Sequence, residues 1–279
     1  MSFLAILALG AAAAGADPLT APIRGNPAWV EPQAPVRVHG QTYYVGTAGL
    51  SVALIDTGAG LVLVDGALPQ TAGDVKRNIE RLGLDWRKVR YILSTEPHHD
   101  HGGGLAALAR DTGATVLASP AAAKALRRGQ VFADDPQSGS LPNFPAVRRV
   151  REIRDGEVVQ LGRTRIRAVF TPGHTPGSVS WTWNSCQGRD CRNVVFASSL
   201  NAVSADGYRF RDHPEVVAAL RRSIARVAAM PCDILISAHP DNSGMAEKLQ
   251  APERFLTPGA CKAYAVRAET RLAERLKGE

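Results

Sequence analysis

Ser94-Thr95-Glu96-Pro97-His98-His99-Asp100-His101-Gly102-Gly103-Gly104 is the stretch around which the rest of the chain is organised. Three histidines and two carboxylates fall within the six residues 96–101, between an apolar run (89–94) and a helix-like stretch (105–112). A strand ending in a tight loop aims several side chains at one point, and a metal is the chemical reason for such crowding. Zinc takes nitrogen from His and oxygen from Asp or Glu in sets of three or four. The glycine run is expected to let the backbone turn sharply and start the next helix without steric cost.

The chain has 279 residues, 45% of them hydrophobic and 21% charged, enough for a substantial core and too apolar for a disordered chain. Its formal charge of +7 is scattered, with only short groups such as Arg148-Arg149 and Arg221-Arg222. A nucleic-acid partner needs such charges grouped on one element, so the pattern speaks for a solvated basic surface that favours anionic substrates. No protein partner is implied. Residues 1–16 carry no charged side chain, have an apolar stretch at 3–9 and end in Ala14-Gly15-Ala16, which reads as a secretory signal peptide. No stretch is long and apolar enough for a membrane span. The expected organisation is therefore a leader, 1–16, and one domain, 17–279, exported to the periplasm. Four cysteines agree with export. They allow three connectivities. Cys186 and Cys191 flank a hairpin-like turn, which favours pairing them together and Cys232 with Cys261.

Residues 17–35 are proline-rich and read as an extended arm. Short β-type runs follow at 41–46, 51–56 and 61–65, the last ending in Asp65-Gly66, then an amphipathic helix over 70–82. The strand 89–94 delivers the His-rich loop. A helix from 105, a strand at 115–118 and a helix at 121–128 follow, and 129–145 reads as a surface loop or lid. The second half largely repeats the succession: strands at 150–153, 158–161, 164–171, 178–183 and 194–197, a long helix at 213–230, a strand at 234–237 and a closing helix at 262–276. Strands then helices, twice over, predict an α/β fold of two packed sheets flanked by helices.

Two further histidines stand at strand ends. His174 lies in Thr171-Pro172-Gly173-His174-Thr175-Pro176-Gly177-Ser178, and His239 follows the strand 234–237. Together with Asp65-Gly66 and the first loop, these motifs resemble the metallo-β-lactamase superfamily, an αββα sandwich with metals at the sheet edges. Further features resemble its subclass B3: Trp181-Thr182-Trp183, the stretch Phe196 to Asn201, and Cys232 and Cys261 in contexts like those of the pair bridged in that subclass. The resemblance covers nearly everything after the leader. It implies two zinc ions, one held by Glu96, His98 and His174, the other by Asp100, His101 and His239. Glu96 replaces the usual histidine. Ser199 stands where other subclasses place a cysteine ligand and Asn201 where a serine often holds the substrate carboxylate, so both are candidate substrate-binding residues. His99 is expected to point away from the metals.

The implied activity is zinc-dependent hydrolysis of the β-lactam amide bond, with a small-molecule antibiotic as substrate. Zinc acidifies water and polarises a carbonyl. A hydroxide held between the metals would attack the lactam carbonyl, with Asp100 as the catalytic residue that orients it. The alternatives are another hydrolase of the same fold, a lactonase or thioesterase, or a zinc-binding protein without turnover. Because the Glu96 carboxylate must compete with water and with protonation for its metal, the site at Asp100, His101 and His239 is expected to fill first.

Overall fold

The computed structural model describes residues 25–279, so the leader read in 1–16 lies outside the described residues. Short runs of Val, Ile and Leu bounded by Gly, Pro and Asp favour strands that are buried on both faces. Seven form one sheet in chain order: β1 (Val36–His39), β2 (Thr42–Tyr44), β3 (Ala53–Asp56), β4 (Leu61–Val64), β5 (Val89–Leu93), β6 (Thr115–Ala118) and β7 (Val150–Glu152). A second sheet contains β8 (Val158–Leu161), β9 (Thr164–Phe170), β10 (Val179–Gln187), β11 (Asp190–Ala197) and β12 (Ile234–Ser237), in the order β12-β11-β10-β9-β8.

Alternation along each strand sorts side chains between layers. On β4, Val62 and Val64 face the space between the sheets, where they join Trp181, Trp183 and Phe196, while Leu61 and Leu63 face outward. That outer face is covered by α1 (Ala72–Arg81), α3 (Leu105–Thr112) and α4 (Pro120–Arg128) through Val75, Ile79, Leu108 and Leu126. On the other side Val195 and Leu235 pack against α5 (Pro214–Ala228) and α7 (Ala260–Gly278). The result is the two-sheet sandwich flanked by helices. Among the described residues the remaining α-helices are the single turns α2 (His99–Gly102) and α6 (Ala246–Gln250).

Helix ends follow their local chemistry. Ser119 caps α4 by accepting from the Ala122 amide, Pro120 opens it, and Gly129 ends it in the left-handed region at φ 73°. The proline-rich arm is not extended throughout. Asn26 accepts from the Ala28 amide and, with Pro27, sets up a 3-10 turn over Pro27–Trp29 that packs against the His-rich loop. The β10–β11 hairpin is longer than expected and carries Cys186 bonded to Cys191; the second disulfide joins Cys232, just before β12, to Cys261 on α7. Among the described residues no helix is long and apolar enough to cross a membrane.

What matters for function is where the strands end. β4 and β5 are parallel neighbours, as are β11 and β12, and each strand's carboxyl end opens at one edge of the sandwich. Cross-sheet bonds fix that edge. The Trp181 indole donates to Ser94 O (3.1 Å), the Val179 amide to Thr95 O (2.7 Å) and the Ser51 amide to Ala238 O (3.0 Å).

Candidate metal centre

The loop after β5 delivers Glu96 and His98, and α2 presents Asp100 and His101 one turn further on. The glycines that follow act by having no side chain rather than by adopting unusual backbone. Gly103 and Gly104 have ordinary right-handed helical dihedrals, but a Cβ on Gly104 would lie 2.0 Å from Gly66 O. This contact packs the His-rich loop against Asp65-Gly66. His174 comes from the loop between β9 and β10, where Gly173 sits at φ 134° with the backbone of Leu220 so close that a Cβ would meet it at 2.6 Å. His239 follows β12.

Six of the expected residues converge. Glu96, His98 and His174 present donor atoms within 4.8 Å of one another, and so do Glu96, His101 and His239. His101 Nε2 lies 3.0 Å from His239 Nε2, and Asp100 Oδ2 is 3.3 and 3.4 Å from those same two nitrogens. Glu96, which is fully buried, brings Oε1 to 3.0 Å from His101 Nε2 and 3.8 Å from His174 Nε2. His99 belongs to neither group; its ring is tilted against Trp29 at 6.0 Å.

The far nitrogen of three imidazoles has an acceptor of its own. Asp135 Oδ2 is hydrogen-bonded to His98 Nε2 at 3.1 Å and Asn201 O to His174 Nδ1 at 2.8 Å, while Asp65 Oδ2 lies at ion-pair distance, 3.2 Å, from His101 Nδ1. Such partners fix the tautomer and turn the opposite lone pair inward. The inward atoms are thus His98 Nδ1, His101 Nε2 and His174 Nε2, joined by His239 Nε2. His239 is itself backed by the Trp29 indole, stacked at 5.5 Å and 30°.

Charge inside this pocket needs compensation. Burial disfavours the anion of Glu96, yet His101, His174 and His98 together pull its carboxyl down to about 2. Asp100 is likewise held well below the usual range, against burial, mainly by His101. Burial lowers His101, but Asp100 and Glu96 outweigh it and hold the imidazole well above its ordinary value. Burial and the neighbouring His101 push His239 down to about 4. Two buried carboxylates thus face four inward imidazole lone pairs. Protons alone satisfy only part of that set, whereas nitrogen and carboxylate donors at this spacing are the ligands divalent metals such as zinc prefer. The residues fit a metal centre.

The comparisons with known proteins agree. The sequence profile of the Metallo-beta-lactamase superfamily matches residues 45–188. The chain belongs to the metallo-β-lactamase superfamily. A solved subclass B3 metallo-β-lactamase, described as the first with an active-site glutamic acid, is 51% identical and covers 94% of this chain and 98% of its own, with a TM-score of 0.85. Metallo-β-lactamase SMB-1, solved with bound 2-mercaptoethanesulfonate, is 46% identical over 90% of this chain and 98% of its own, with a TM-score of 0.86. A hydroxyacylglutathione hydrolase of Gloeobacter violaceus is 28% identical over 200 residues, 66% of this chain and 67% of that protein. This superfamily member is a hydrolase, and subclass B3 enzymes are among its solved relatives.

Three features of this metallo-β-lactamase fold member were not read from its sequence. Asp65 was noted only by position, yet it orients His101 and accepts from the Thr95 amide (2.8 Å) and hydroxyl (2.6 Å). The loop 129–145 is no mere cover: it buries Asp135 behind His98 and sets the Gln137 amide nitrogen 3.4 Å from both His98 Nδ1 and His174 Nε2. Asp134-Asp135-Pro136-Gln137, a polar cluster in a loop of that length, was the available signal. Ser199 turns its polar groups to Glu96: its hydroxyl donates to Oε1 (2.8 Å) and its amide to Oε2 (3.0 Å). The Asn201 side chain accepts from Arg271 at 3.3 Å.

Proposed function

We propose that the protein is a periplasmic, zinc-dependent β-lactamase that opens the amide bond of β-lactam antibiotics at a centre holding two metal ions. The reading is carried by one observation: the Glu96-containing donor set sits on a chain 51% identical, over 94% of its length, to a subclass B3 β-lactamase with an active-site glutamic acid. In this reading Glu96, His98 and His174 hold one ion, and Asp100, His101 and His239 the other. Export would follow from the leader in residues 1–16, with 17–279 as the mature domain, and two disulfides suit an oxidising compartment.

Zinc bound here supplies an acidified water and a Lewis acid for the carbonyl oxygen. The chain's own residues do the rest. Asp65, Asp135 and Asn201 O hold three imidazoles in the ligating tautomer. Asp100, whose carboxylate stays ionised, accepts a hydrogen bond from the attacking water and fixes its direction. Trp29 closes the wall beside His239. Asn201 and Arg271, paired at the surface, offer an amide and a cation to a substrate carboxylate, whereas Ser199 is committed to Glu96 and contributes to the substrate only through it.

A thioesterase reading has its own support, from the hydroxyacylglutathione hydrolase relatives. A panel of a penicillin, a cephalosporin, a carbapenem and a hydroxyacylglutathione thioester, run with purified zinc-loaded protein, separates the two. Hydrolysis of the lactams with kcat/KM at least tenfold above that for the thioester is expected; the reverse order makes the protein a thioesterase.

A further inference from the structure

We propose that Glu96 serves both metal positions at once, a shared carboxylate ligand held in place by Ser199, so that the two positions depend on one side chain. The inference rests on reading the site as a two-metal centre. From sequence Glu96 belongs with His98 and His174 alone. In the fold its carboxylate is a member of both donor groups, one with His98 and His174, the other with His101 and His239, and Oε1 lies nearer to His101 Nε2 (3.0 Å) than to His174 Nε2 (3.8 Å).

The lone pairs support the same assignment. An ionised carboxylate has about four acceptor positions on its two oxygens. Ser199 takes one on each oxygen, through its hydroxyl to Oε1 and its amide to Oε2. One position is left on each oxygen, and Oε1 is the oxygen that faces both His101 Nε2 and His174 Nε2. An imidazole in the same place offers a single inward lone pair and can serve only one metal. Ser199 also stops the carboxylate from rotating to favour either side, and its amide is fixed because Ser198 beside it is bonded to Thr171 and Ser180. Pro97 keeps the Glu96 backbone extended. Glu96 is completely buried, so water cannot substitute for a missing metal contact without rearrangement.

The two possibilities differ in which position weakens when Glu96 is lost. A ligand of one metal, on replacement, leaves the site of Asp100, His101 and His239 unchanged. A shared ligand weakens both. Site-resolved occupancy can be read without turnover, from the imidazole N–H protons shifted by bound Co²⁺: His101 Nδ1–H reports one position, and His98 Nε2–H and His174 Nδ1–H the other. Wild-type protein, Glu96→Ala and Ser199→Ala are titrated with Co²⁺ under chelator competition. Affinity at both positions is expected to fall by roughly tenfold or more in Glu96→Ala, and by a smaller factor, again at both, in Ser199→Ala. The latter keeps every ligand and tests the proposal even where Glu96→Ala does not fold. Loss confined to the His98 and His174 signals, with the His101 signal titrating as in wild type, would overturn the shared role while leaving the two-metal reading intact. Failure of wild-type protein to take up two ions would instead remove the reading on which it rests.

Discussion

Replacing Asp65 with Asn removes one charge and leaves shape and backbone alone. Asp65 sits at φ 67°, a left-handed conformation that Asn adopts far more readily than most residues. One acceptor oxygen remains for the Thr95 amide. The other oxygen becomes an NH₂ group facing two donors, the Thr95 hydroxyl and His101 Nδ1. The hydroxyl can rotate and accept; the imidazole can only move its proton to Nε2, the atom that faces the metal. One charge-assisted contact, worth about 1.5–3 kcal/mol, is therefore lost from the ligating tautomer. That figure matches the roughly 10–100-fold loss of metal affinity seen when outer partners of ligating histidines are removed. Zinc affinity of Asp65→Asn is measured against a chromophoric chelator, with thermal melts of the metal-free protein to confirm folding. A folded variant that binds two ions within twofold of wild-type affinity refutes the orienting role assigned to Asp65.

Asp100→Ala removes the carboxylate at 3.3–3.4 Å from His101 and His239, and Asp100 belongs to none of the apolar clusters, so the variant should fold and lose turnover by about 10²–10⁴-fold, read as kcat on a carbapenem. Breaking the Cys232–Cys261 bridge, which spans 29 residues, should cost about 3–4 kcal/mol in denaturant unfolding of Cys261→Ser. In metal-free protein the raised His101 pKa means its proton contributes stability that is fully present below about pH 6.5 and lost as pH rises through the raised value. Melting temperature without metal should fall on that alkaline side. Zinc must displace the same proton, so calorimetry in buffers of different ionisation enthalpy should show proton release on binding and affinity rising with pH.

Much of the centre was legible because its ligands are crowded into one loop and the other two histidines stand at strand ends. The run Leu61 to Asp65 was likewise legible as a strand, whereas the facing of Val62 and Val64 to one apolar layer and of Leu61 and Leu63 to the other is visible only in the fold. Other features depend on contacts distant in sequence. Ser199 meets Glu96 across 103 residues, and its hydroxyl is drawn there because a carboxylate has acceptor positions to spare where a metal-binding imidazole has none. Asp135 and Gln137 ride on a loop with no periodicity to read. The single turn His99–Gly102 is too short and glycine-rich to register as a helix, and Val36–His39 too short to stand out as a strand. The glycines after His101 were read as a sharp turn; what they permit is close contact of the backbone with Gly66.

The most direct test of the account is carbapenem hydrolysis by purified protein, stripped of metal and then titrated with zinc. The account predicts no turnover at zero zinc and a rise that saturates as two ions per chain are taken up. Metal-free protein that hydrolyses the carbapenem, or protein with two bound zinc ions that does not, contradicts it.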